Sequence, residues 1–171
     1  MVDNDEIQEL INKVKNLEKG EKLDLSSDED LSIAVMNLIS IEEHLFFSGG
    51  KTGKTKYYEL LNQVREMRKE LLKKLIKDYE GEVWCISKHL LAASMRLMEV
   101  GTKALTNNEN EKAQDLFKKS YDLYNLFWGI NLGMVKSKDL KTMTIDKNDQ
   151  PTDIFGKINQ VIKGILNCCK E

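Results

Sequence analysis

The side chains with the clearest capacity for chemistry lie in the segment 82–105. Steps of three and four residues along it reach a set of polar positions on one face of a helix: Glu82, Cys85, His89, Arg96, Glu99 and Lys103. The stretch 90–98 is otherwise apolar or small, so we expect this helix to be central in the fold and its polar face to be buried. Burying such groups costs several kcal/mol unless each finds a partner.

One interpretation of this polar face is a metal or small-ligand site. The segment 28–47 supplies Glu42, which takes the place of an apolar residue on its own helical stripe. Cys85 and His89 are spaced i, i+4, so both can reach one ion, and thiolate, imidazole and carboxylate together suit zinc or iron. The candidate ligands are Glu42, Glu82, Cys85 and His89. Their spacing does not match the Glu-x-x-His pairs of ferritin-like di-iron bundles.

The other interpretation is a buried ion-pair network that fixes the register of neighbouring helices. Arg96 and Glu99 would then pair with Glu42, or with Arg65 and Arg68 from the segment 55–79. Both interpretations remain open at this level. Catalysis is the weaker expectation, because the sulfur of a buried cysteine has no access to substrate and no Ser-His-Asp ordering or oxyanion loop accompanies it.

The run GGKTGKT at 49–55 contains Gly-Lys-Thr twice and invites comparison with a phosphate-binding loop. That motif needs a glycine five residues earlier, where this chain has Leu45 and Ser48. A phosphate loop also follows a buried strand, whereas a helical pattern precedes this run. We therefore expect an inter-helix turn and no nucleotide cofactor.

Aromatic residues are concentrated in the segment 111–134 and cover more than one face of a helix. Some of them should point outward, and aromatic side chains are enriched at protein contact sites. The expected interaction surface comprises Tyr121, Tyr124 and Trp128, unless a terminal helix covers them.

The elements that must position these residues are helical. Apolar periodicity predicts long helices over 28–47, 55–79, 82–105 and 111–134, with Ser26 and Ser27 as caps of the first and a break at 48–53. Short amphipathic helices are predicted before Gly20 and over 152–165, the second preceded by a loop or linker at 136–151. The prediction is an all-α, single domain over 1–171: an up-down antiparallel bundle of four long helices with the terminal helices packed on it.

Gly101, Ala113, Phe117 and Ser120 follow one another at the offsets of a tetratricopeptide hairpin. The segment 97–124 resembles that pattern but lacks its tryptophan and closing proline, and no second copy follows. The resemblance assigns no family. It implies a close contact between the helices 82–105 and 111–134.

Composition limits the classes of partner. The 171 residues carry 26 basic and 28 acidic side chains, a net charge of −2, and the lysines and arginines of 55–79 are interspersed with glutamates, so nucleic acid is not expected. No apolar run reaches the roughly 18 residues that span a bilayer, and the three cysteines suggest no disulfide framework, so we expect a cytoplasmic protein without a membrane partner. The leading hypothesis is a non-enzymatic protein that acts through protein–protein contact or self-association. The alternative is a bundle that holds zinc, iron or a small ligand.

Overall fold

The computed structural model describes residues 25–76, 82–134 and Ile158. Within these ranges the chain forms four helices and no strand, so the predicted all-α class is confirmed. The helices are α1 (Ser26–Thr52), α2 (Lys56–Leu75), α3 (Glu82–Thr106) and α4 (Asn110–Asn131). The predicted terminal helices and the loop 136–151 lie outside the described residues, except that Ile158 is helical and buried.

Helix α1 is longer than its sequence predicts. The expected break at 48–53 is wrong, because the helix continues through both glycines to Thr52. Gly53 ends it in the left-handed region, at φ 65°, and its N–H donates to the Gly49 carbonyl at 2.8 Å. Gly49 itself lies against the ring of Tyr58, where an added Cβ would come within 2.6 Å of Cε1. Tertiary packing and the glycine cap therefore outweigh the poor helix propensity of the Gly-Gly pair.

The start of α1 also differs from the expectation. Helix geometry begins at Ser26, so the two serines lie inside the first turn instead of capping it, and the capping position, Leu25, makes no side-chain capping hydrogen bond. Asp28 and Glu29 do lie in the first turn, where carboxylates interact favourably with the helix dipole.

Helices α3 and α4 form a close antiparallel hairpin, and the contact implied by the glycine spacing is confirmed. A Cβ added to Gly101 would lie 2.6 Å from Phe117 Cε1, and Ala113 is buried. Farther from the turn, Ser94 Oγ donates to the Ser120 carbonyl at 2.9 Å, and Ser120 Oγ donates to the Ser94 carbonyl at 2.7 Å. Small side chains thus let the two backbones approach, and the serine hydroxyl of each helix donates to a carbonyl of the other.

Helices α1 and α2 form the other hairpin, and two polar contacts connect it to the first. The hydroxyls of Ser32 on α1 and Tyr124 on α4 lie 2.7 Å apart. Arg96 on α3 forms an ion pair with Glu43 on α1.

The apolar core lies in the halves of the helices that are remote from the turns at 53–55 and 107–109. Its largest completely buried members come from all four helices and the residue after α2: Val35, Leu72, Ile76, Leu91 and Phe127. Near the turns, Gly49 packs against the Tyr58 ring in one hairpin, and the buried small residues Gly101, Ala104 and Ala113 lie in the other.

Candidate functional site

The polar face of α3 is not the buried face of that helix. Cys85, His89 and Arg96 are exposed, whereas Leu91 and Ser94 on the other side are buried. The expectation of a buried polar line is therefore wrong. A segment that is apolar nearly all round gives little indication of its orientation, and the small residues that fit against α4 decide it.

The four candidate metal ligands do not assemble into a site. Cys85 and His89 face solvent, as does Glu82, and Glu42 lies on another helix, engaged with an arginine. Across residues 25–76 and 82–134, no three histidine, cysteine, aspartate or glutamate side chains are grouped so as to hold an ion. No observation in these ranges favours zinc or iron binding by this set.

Glu42 instead belongs to an ion pair between α1 and α2. Arg68 Nε donates to Glu42 Oε1 at 2.7 Å, and Arg68 Nη2 donates to Oε2 at 3.2 Å. The Arg68 side chain is only 3% exposed. The sequence analysis expected Glu42 and Arg68 to pair with Arg96 and Glu99, whereas the structure pairs them with each other. The two-point geometry neutralises a charge that would otherwise be buried alone.

The remaining members of the predicted network lie at the surface. Arg96 pairs with Glu43 and with Glu99, and all three side chains are at least one-third exposed. Arg65 is exposed on α2. The pairing between α1 and α3 therefore involves Glu43, not Glu42, and it is a solvated pair of small energetic value.

A shallow groove of about 370 Å³ runs beside this pair. Asn37, Ile41 and His44 line it from α1, and Arg96 and Glu99 line it from α3. Because two carboxylates already neutralise the Arg96 guanidinium, the groove offers no free positive charge to an anionic ligand.

On the exposed face of α2, a lysine is likewise paired with a glutamate of the same helix. Lys69 Nζ donates to both carboxylate oxygens of Glu66, at 3.0 and 2.9 Å. That hydrogen bond, with smaller contributions from the nearby positive charges, holds the pKa of Glu66 below its ordinary value. This face has the character of a solvated helix surface.

The three aromatic residues expected at an interaction surface have different environments. Tyr121 is exposed, Tyr124 is half-buried and contacts Ser32, and Trp128 is 3% exposed within the core. The indole of Trp128 packs edge-to-face on Phe127, with ring centroids 5.2 Å apart. The expectation that Trp128 contributes to a surface is wrong, since the second half of α4 is enclosed on every side.

The exposed apolar side chains of α1 and α3 near the turns are a feature that the sequence analysis missed. We call them the turn-proximal apolar residues: Phe46, Phe47, Met98, Val100 and Leu105. Phe46 and Phe47 contact each other edge-to-face, with centroids 5.3 Å apart. Phe46, Met98 and Leu105 continue the seven-residue spacing of core positions, so periodicity alone could not separate these three from the core.

By length and composition, α1 also meets the criteria for a membrane-spanning helix. Its apolar stretch is interrupted by Glu42 and Glu43, and both glutamates form ion pairs with arginines of other helices. Only 17% of that apolar window is buried, and a single helix that meets these criteria is weak evidence for a membrane span.

Comparisons of the chain with protein-family models, with curated proteins and with solved structures found no match.

Proposed function

We propose that this chain is a non-enzymatic helical module that acts by binding protein through its turn-proximal apolar residues, self-association included. The observation that carries the proposal is a loss of burial along two helix stripes toward the turns. Each stripe is enclosed in the core at one end and exposed at the other.

On α1 the stripe follows positions seven residues apart. Ser32 is completely buried, Ile39 is half-buried and Phe46 is 56% exposed. Because positions i and i+7 lie on nearly the same face of a helix, Phe46 continues the side of α1 that forms the core.

On α3 the same change occurs. Leu91 is completely buried, whereas Met98 is 44% exposed and Leu105 is 50% exposed. All three lie on one face at seven-residue spacing. Two helices therefore present a core-type stripe to solvent in the same part of their length.

We further propose that the four helices form an up-down antiparallel bundle, which places both turns at one end. The contacts between hairpins support this arrangement. Ser32 and Tyr124 meet where both α1 and α4 are remote from their turns, and Glu43 and Arg96 meet about equally far from the ends of α1 and α3. In that arrangement the turn-proximal apolar residues lie at a common end of the molecule.

Apolar side chains grouped on a surface mark interaction sites more often than scattered ones do. Fully burying a side chain of the size of Leu, Met or Phe contributes about 1.5–3 kcal/mol. A partner that covers Phe46, Met98 and Leu105 therefore gains substantial binding free energy without any rearrangement of the core.

The test is photo-crosslinking in cells that express the full chain with a benzophenone amino acid at position 46. We expect adducts heavier by the mass of a protein partner, which includes a second copy of the chain. The matched control carries the same group at exposed Glu70, 14 residues after the first residue of α2, and should give none. Equal crosslinking at both positions, or none at position 46, would overturn the proposal.

A further inference from the structure

We draw no further inference here: the strongest candidate, the exposed turn-proximal apolar residues on α1 and α3, belongs to the surface already described, and nothing in the described part of the chain shows what covers it.

Discussion

Arg68 carries a positive charge into the interface between α1 and α2, and Glu42 is the side chain that compensates it there. Glu43, the next residue along α1, forms a solvated pair with Arg96 instead. The two adjacent glutamates thus differ in energetic role because the helix turns by about 100° between them. Comparing substitutions at Glu42 and Glu43 therefore measures how burial changes the contribution of an ion pair to stability.

We predict that Glu42→Ala lowers the free energy of unfolding by about 3 kcal/mol, because it leaves the Arg68 guanidinium buried without its counter-charge. Glu43→Ala should cost at most about 1 kcal/mol. Urea denaturation of the two variants measures both values. Glu42→Leu/Arg68→Met should recover most of the loss, and equal losses for the two single variants would contradict the assignment.

Cys85 and His89 face solvent on α3, so their removal should have little effect on the fold. We predict that Cys85→Ser/His89→Ala changes the free energy of unfolding by no more than about 0.5 kcal/mol. Elemental analysis should show the same zinc and iron content in the variant and the wild type. One equivalent of metal in the wild type that the variant loses would restore the metal-site hypothesis.

At the scale of the element, small residues determine how α3 meets α4. Ser87, Ser94 and Gly101 occur every seven residues on α3 and are buried against α4. Asn131 Nδ2 donates to Ser87 Oγ at 3.2 Å, which extends the same line of contacts to the end of α4. The polar face that the sequence analysis favoured lies on the opposite side of this line.

We predict that Gly101→Ala destabilises the protein by about 1–3 kcal/mol, because its Cβ would collide with the Phe117 ring. Gly50→Ala is the matched control: it too lies inside a helix, and no atom outside its own backbone surroundings lies within 4 Å of an added Cβ. It should stabilise by about 0.5–1 kcal/mol through helix propensity. Thermal denaturation checks the opposite signs. If Gly101→Ala were also stabilising, the packing of α3 on α4 would be wrong.

At the scale of the whole molecule, the core is asymmetric along the helix axes. It draws on the halves remote from the turns, and the same stripes become exposed toward the turns. The core and the proposed interaction surface therefore lie in different parts of the same helices.

Leu91 and Leu105 test this separation, since both are leucines on one stripe of α3. We predict that Leu91→Ala costs about 2–5 kcal/mol, because it opens a cavity in the core. Leu105→Ala should cost less than about 1 kcal/mol under monomeric conditions, since half of that side chain is already in water. Chemical denaturation at low protein concentration measures both, and similar costs would show that the core extends to the turns.

Local sequence signals determined the helical class, the start of α3 at Glu82 and the close contact at Gly101. Apolar periodicity, turn residues and small residues act over a few positions, so they can be recognised without knowing which segments become neighbours. The same signals placed the end of α1 too early, because the packing of Gly49 against Tyr58 is not local.

Only the tertiary structure decided which face of α3 is buried, which residue pairs with Glu42 and where the core ends. A helix that is apolar nearly all round has no preferred inward face until its neighbours are in place. An apolar stripe that repeats every seven residues has the same sequence pattern along its whole length, whether or not another helix covers it. The exposure of Phe46 and Leu105, and with it the proposed interaction surface, therefore depends on how far the hairpins remain in contact.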